Sequence, residues 1–388
     1  MAVTISATIL FWLSLFLLIW AYGGFSFFLS FVSRFVKKPV RDFSFKPAIT
    51  IFIPAYNEEK VIAEKIDNCL ALDYPRDRLE IMVCSDCSSD KTVAIAQSYA
   101  GKGVKVFDYR ERSGKTGMIN KAVPVAQGEI VVLTDANTMF ETDAVSKMIS
   151  MYSSEKIGAV LGQVKLRVPD LGYGLDKEVV YRSFEAELKY REGLFGTAQG
   201  AFGGMYSIRK KLFKPLPPNA YSNDDFLTPM KIMSRGYKVL FDKEAVSHED
   251  TAMNVEEEFR RRVRIGAGNF QSFFFLLPML NPFRGTAFLF YLSHKVLRWF
   301  SPMLLILVLT ANIFLISEPI YLVLFLFQGA FYATALIGWI LSKVKINLPM
   351  VSSIYHFSSM NLAVLLGFFK CLRGIKSAVW QSTERAVV

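Results

Sequence analysis

The chain has 388 residues, 52% of them hydrophobic, with 34 phenylalanines and a mean hydropathy of +0.30. It is too apolar for an ordinary soluble enzyme and, at 20% charged residues, too polar to lie wholly in a membrane. The net charge of +11 would suit nucleic acid, but much of the excess flanks apolar segments, where it fits anionic membrane lipids; without a zinc-finger spacing or RNA-binding signature, nucleic acid is set aside.

Residues 1–33 carry no charge, and the apolar run 9–31 exceeds the ~20 residues that cross a bilayer as a helix. A cleavable signal peptide would have a basic start and an apolar stretch of only ~7–15 residues. Residues 1–33 are therefore expected to form a transmembrane helix, with Gly23 and Gly24 as its weak point. Arg34, Lys37, Lys38 and Arg41 follow it and nothing basic precedes it, which predicts a cytoplasmic middle region.

Residues 45–270 are soluble in character and long enough for one substantial core. β-rich runs at 48–54, 79–85, 104–109, 130–134 and 159–164 alternate with helical patterns at 58–71, 91–100, 116–126 and 142–153. That alternation predicts an α/β domain, a mainly parallel sheet with helices on both faces. Ligands of such sheets bind outside the carboxyl ends of the strands. Polar clusters fall there: Pro54-Ala55-Tyr56-Asn57-Glu58, Ser85-Asp86-Cys87-Ser88-Ser89-Asp90 and Thr134-Asp135-Ala136-Asn137. Each alone is ordinary turn and capping chemistry; three on one edge predict a site.

Ser113-Gly114-Lys115-Thr116 imitates the end of a P-loop, but Tyr109 stands where the leading glycine belongs, and no G-x-G-x-x-G follows the first strand. A nucleotide bound here must be held by carboxylates and a metal. Cys84-x-x-Cys87 lacks a second ligand pair, so it reads as two small residues at a strand end rather than a redox or metal pair.

Residues 271–298 open on an aromatic stretch broken by Pro278 and Pro282, expected in the membrane interface. Between Arg298 and Lys343 the only charge is Glu318, which predicts a transmembrane hairpin over 299–342 with Glu318 at its outer tip. The run 346–369 holds serines, Pro349, His356 and two asparagines, and as a span it would put Lys370, Arg373, Lys376 and Arg385 outside. Residues 346–388 are thus expected to be interfacial or re-entrant, returning Trp380-Gln381-Ser382-Thr383-Glu384-Arg385 to the cytoplasmic side.

In order and spacing, the motifs between about residues 47 and 271 resemble the family 2 inverting glycosyltransferases. The resemblance implies a GT-A, Rossmann-like nucleotide-sugar-binding fold with flanking transmembrane helices. The segment Ile53-Pro54-Ala55-Tyr56-Asn57-Glu58 is similar to the family's first strand and turn, implying donor contacts from Pro54, Ala55, Tyr56 and Glu58. The loop Ser85-Asp86-Cys87-Ser88-Ser89-Asp90-Lys91-Thr92 resembles D-G-S-T-D-x-T; Asp86 is implied on the uracil or ribose, and Cys87 replaces the usual glycine. Arg112-Ser113-Gly114-Lys115, with Asn120, resembles R-x-G-K-x-x-x-x-N and implies Lys115 near the base or phosphates.

Asp135-Ala136-Asn137 stands where the family carries D-x-D, implying that Asp135 and Ala136 meet the donor and that Asp135 and Asn137 hold Mg²⁺ or Mn²⁺ on the diphosphate. Asn137 leaves the motif one charge short, so His248 is a candidate further ligand, with a satisfied loop histidine as the alternative. Asn223-Asp224-Asp225 resembles T-E-D, implying Asp225 as general base and Asp224 beside the acceptor. Arg261, Arg264 and Ile265 fall where processive members have Q-x-x-R-W: both arginines are implied on the donor diphosphate, and Ile265 replaces the tryptophan beneath the acceptor.

The resemblance thus implies inverting transfer of one sugar from a nucleotide-sugar donor, a UDP-sugar first, to a lipid-linked or glycan acceptor at the cytoplasmic face of the inner membrane. A processive polysaccharide synthase is the alternative within the class, disfavoured by the few spans and Ile265. Outside it stands a transporter with a nucleotide-sensing domain, disfavoured by the lack of intramembrane charges and of paired helical repeats.

Overall fold

The computed structural model describes residues 2–167, 175–221, 223–250, 255–344 and 346–375. Its strands are β1 (Ile49–Ala55), β2 (Leu79–Asp86), β3 (Val104–Tyr109), β4 (Ile130–Thr134), β5 (Met139–Phe140), β6 (Ile157–Arg167), β7 (Met205–Arg209) and β8 (Lys238–Asp250). They form one sheet of order β3-β2-β1-β4-β7-β6-β8-β5. β1 and β4 are buried along their whole length, which is why they read as continuous apolar runs rather than alternating ones. The helices Ile62–Leu70, Thr92–Gln97 and Ala144–Ser150 lie inside the expected patterns and are shorter, while Gly114–Val125 begins two residues ahead of the expected 116–126. Residues ahead of the first are taken up by a turn, with the Val61 and Ile62 amides both donating to the Glu58 carbonyl.

The expected mainly parallel sheet describes the β3-β2-β1-β4 half, where every pairing is parallel. The register aligns the carboxyl ends: Ala55 pairs with Ser85 and Asp86 with Tyr109, so the turns after β1 and β2 emerge side by side. The other half is mixed, because β7 enters antiparallel between β4 and β6. Thr134 pairs with Met205, so the chain just before β7, Gly203-Gly204, lies against the chain just after β4, Asp135. The core beneath this edge is aliphatic: Ile49, Ile51 and Ile53 with Ile81, Val83 and Val132, and Ile62 and Ile66 from the first helix.

The chain divides into two compact units, one comprising Leu29–Met253 with Phe274–Phe290, which holds the sheet, and one drawn from Met1–Phe28, Asn254–Phe273 and Tyr291–Gly374. In the sheet unit, Arg41 is more than a flanking charge: its guanidinium makes a two-point pair with Asp242 at 2.6 and 2.8 Å.

Among the described residues, three helical runs are long and apolar enough to cross a membrane: Thr4–Phe35, Pro319–Lys343 and Pro349–Leu372. The first carries a π-helical turn at Trp20–Gly24, at the expected glycine weak point. The first arm of the expected 299–342 hairpin differs. Its helix Ser301–Ile313 has 13 residues and meets the preceding run Thr286–Trp299 at 65°, with Pro302 at its start. The stretch expected to be interfacial folds as one 24-residue helix, Pro349–Leu372. Its Asn361 is matched within its own unit: the Ser301 hydroxyl donates to Asn361 Oδ1 at 2.7 Å, and the Tyr22 hydroxyl lies 2.8 Å from that of Ser301. Gly367 meets Gly266 so closely that a Cβ on Gly367 would lie 2.7 Å from the Gly266 backbone. The 380–385 peptide lies outside the described residues.

Candidate active site

Two turns at the carboxyl edge are tied together by hydrogen bonds, among them two between uncharged groups and one to a carboxylate. The Ser89 amide donates to Asn57 Oδ1 at 2.8 Å, the Glu58 amide to Thr92 Oγ1 at 2.8 Å, and the Glu59 amide to Asp90 Oδ2 at 3.1 Å. Both turns need a left-handed residue, Asn57 at φ 53° and Cys87 at φ 62°. Asparagine visits this region readily; cysteine pays about 1 kcal/mol or more for it. Cys87 therefore keeps the backbone that a glycine would adopt. Its thiol, like that of buried Cys84, is free.

The charged part of the site lies one strand over. Asp135 follows β4, Lys115 sits in the first turn of the Gly114–Val125 helix, and Asp224 and Asp225 open the helix Asp224–Met233. Lys115 Nζ is 2.7 Å from Asp135 Oδ1 and 3.5 Å from Asp224 Oδ2. The Tyr206 hydroxyl donates to Asp224 Oδ2 at 3.2 Å. A methyl group built on Gly203 would lie 3.4 Å from Oδ2 of both Asp135 and Asp225 and 3.8 Å from Lys115 Nζ. Three charged groups from three elements thus face one point that glycine leaves open. Lys189 adds a second buried cation, donating to the Ala201 carbonyl at 3.1 Å and lying 3.9 Å from the centre of the Phe202 ring.

The carboxylates and the lysines set one another's charge. Burial alone would lower the Lys115 pKa, but Asp135, Asp224 and Asp225 outweigh it and hold the ammonium well above its ordinary value. Asp225 is pushed up to about 6, first by loss of water and then by Asp224, while Lys115 and Lys189 pull the other way. Asp224 is raised as well, chiefly by burial.

Asp135, Asp224, Asp225 and Lys115 are thus brought together, with Ala136 buried in the turn after Asp135. Pro54 and Ala55 end β1. Tyr56 is covered by the Arg112 guanidinium, 3.3 Å above its ring centre. Asp86, implied on the base or ribose, is fully buried here, and its oxygens accept from the amides of Ser113 at 2.7 Å and Gly114 at 2.9 Å. It braces the start of the Lys115 helix, a task that the loop's sequence does not reveal. His248 is placed against Glu141. It lies on β8 opposite Met139, with Nε2 3.1 Å from Glu141 Oε1. Arg261, Arg264 and Ile265 lie on the helix Val255–Phe275 of the helical unit, the two arginines one turn apart on one face.

Among the described residues, no three His, Cys, Asp or Glu side chains form a ready metal cage. Asn137 is only 7% exposed and lies two residues from Asp135; its carbonyl oxygen, not the unpartnered Nδ2, is the atom that could meet a cation. One carboxylate and one amide suit a hard divalent cation that completes its shell with diphosphate oxygens and water. Tyr206, Lys189 and Gly203 were not singled out in the sequence. The glycine-rich run Gly200-Ala201-Phe202-Gly203-Gly204 was the available signal.

Residues 50–216 match the model of the glycosyl transferase family 2. The chain carries a family 2 glycosyltransferase domain. The poly-beta-1,6-N-acetyl-D-glucosamine synthase of Staphylococcus aureus is 26% identical to the chain over 258 residues, 64% of this chain. The match spans 61% of that relative's length. A mannosyltransferase from Pyrobaculum calidifontis, solved with GDP-Man and Mn²⁺, superposes with a TM-score of 0.66 over 96% of this chain and 98% of its own, at 22% identity. At that identity the likeness carries the fold, which for the glycosyltransferase domain is GT-A.

Proposed function

We propose that the protein is an inverting glycosyltransferase that moves a sugar from a nucleotide-sugar donor, a UDP-sugar first, to a lipid-linked or glycan acceptor at the cytoplasmic face of the membrane. The observation that carries this reading is the convergence of Asp135, Asp225 and Lys115 on the open point at Gly203. The Asp225 carboxylate takes the proton of the acceptor hydroxyl; the oxygen attacks the anomeric carbon from the face opposite the leaving group, and the bonding pair of the old linkage departs with the diphosphate. A pKa near 6 leaves Asp225 ionised at neutral pH yet basic enough to accept a proton. Lys115, held charged by its acidic neighbours, attracts the diphosphate. A divalent cation, which Asp135 and Asn137 would hold, supplies neutralisation of the departing diphosphate. Asp224 borders the acceptor.

The membrane setting rests on the three apolar helices and on the exposed aromatic Phe283, 98% accessible, in the expected interfacial segment. Extension of a polymer is the second reading, favoured by the name of the Staphylococcus aureus relative and opposed by Ile265. The test is purified protein with Mn²⁺ and a panel of nucleotide sugars, scored for nucleoside diphosphate release and product length. No release from any donor, with or without membrane lipid extract as acceptor, contradicts the proposal.

A further inference from the structure

The mechanism above leaves several buried charges unused, and one of them, Lys65, is bonded to the Asp135 turn. On the helix Ile62–Leu70 the residues facing the core are Ile62, Lys65, Ile66 and Cys69, so a lysine occupies an apolar stripe. Lys65 is fully buried. Burying an ammonium costs several kcal/mol unless its hydrogen bonds and surroundings answer it. Here three groups do so. Nζ donates to Thr134 Oγ1 at 3.0 Å and to the Thr138 carbonyl, and it sits 3.6 Å from the centre of the Phe140 ring. The two hydrogen bonds grip opposite ends of the turn that carries Asp135 and Asn137. Thr134 Oγ1 in turn donates to the Gly204 carbonyl at 2.8 Å, extending the connection to the glycine pair facing the acids. Among the described residues no carboxylate forms a salt bridge with Lys65, whose pKa burial lowers to about 8; the charge of Asp135 is among those that favour its ammonium form.

We propose that Lys65 is a positioning residue for the donor: its buried ammonium fixes the 134–138 turn from below, holding Asp135 and Asn137 where a metal–diphosphate binds. The inference rests on the donor-site reading above and names a residue that acts through the turn without touching the donor. Asp135 is then steadied from two sides, by Lys115 directly and by Lys65 through the turn. Charge matters beyond hydrogen bonding, because an ammonium can satisfy the hydroxyl and the carbonyl at once while drawing the Asp135 carboxylate toward them.

The experiment compares full-length Lys65→Met, Lys65→Gln and Thr134→Val with wild type, measuring KM for the donor found in the screen and KM for the acceptor separately. Lys65→Met should raise the donor KM about 10- to 100-fold, as loss of a supporting residue behind a metal site does. The acceptor KM should stay within about twofold, because the acceptor base lies on another element. Lys65→Gln, which keeps a donor group but no charge, should resemble Lys65→Met. Thr134→Val should shift the donor KM the same way by a smaller factor, and it decides the matter if the Lys65 variants do not fold. A wild-type donor KM in Lys65→Met or Thr134→Val, equal shifts in both constants, or full recovery in Lys65→Gln overturns the proposal. Absence of turnover by wild type with every donor would instead overturn the donor-site reading itself.

Discussion

The two halves of the sheet's carboxyl edge are built on different physics. After β1 and β2 the turns are zipped by neutral hydrogen bonds, Asn57 to Ser89 and Glu58 to Thr92, around two left-handed residues. After β4 and before β7 the site is a balance of charges, with Lys115 between Asp135 and Asp224 and with Asp225 beside them. The first region has its shape set before any ligand arrives. The second is charge-balanced: burial raises the pKa of Asp224 and Asp225 while Lys115 pulls both back, so a cation, an anionic diphosphate or a proton changes it. In the proposed reading the rim takes the donor's nucleoside and the charged floor its phosphates.

The comparison breaks most sharply at Asp135. Asp135→Ala removes the partner of a buried ammonium and the one charged residue of the D-x-D-like motif, and donor affinity should fall on the order of 100-fold, read by titration with and without Mn²⁺. Unchanged affinity would place the donor elsewhere. Next is Gly203→Val, which fills the point that the carboxylates face. Turnover should fall about 10- to 100-fold with the thermal midpoint nearly unchanged, and a wild-type rate would show that no substrate atom occupies that point.

The charge balance also predicts a pH profile. Asp225 must be ionised to act, and its pKa is raised to about 6, so kcat/KM should be full above that value and fall tenfold per unit below it. The apparent value belongs to the coupled acids together. A profile flat down to pH 5 would contradict the charge-balanced account. The smallest effect tests the rim. Cys87→Gly relieves a left-handed cysteine and should stabilise the protein by roughly 1 kcal/mol in denaturant melts, with unchanged turnover.

Much of the rim was legible in sequence, because strands buried on both faces announce themselves as apolar runs and turns as Asn, Asp and Ser clusters. The acids Asp135 and Asp225 were legible through motif order. Lys65 was not: a lysine in an apolar stripe reads as a flaw in a helix pattern until the turn it grips is seen. β7 escaped because five residues between glycines and a lysine-rich turn show no period, yet its antiparallel entry sets Gly203 against Asp135. The bracing role of Asp86 escaped because a carboxylate in a strand-end loop gives no sign of capping a helix 28 residues later. In the helical unit, sequence cannot show that Asn361 and Gly367 of the 349–372 helix are matched by Ser301 and Gly266.

The central claim is that Asp225 takes the acceptor proton at a site that binds the donor independently of it. Asp225→Asn keeps the shape and removes the base, and the direct measurement is donor affinity and single-turnover transfer rate on the same purified variant. The account predicts donor binding within about threefold of wild type and transfer slowed by roughly 10²–10⁴-fold. Transfer at the wild-type rate, or loss of donor binding in proportion to loss of rate, would contradict it.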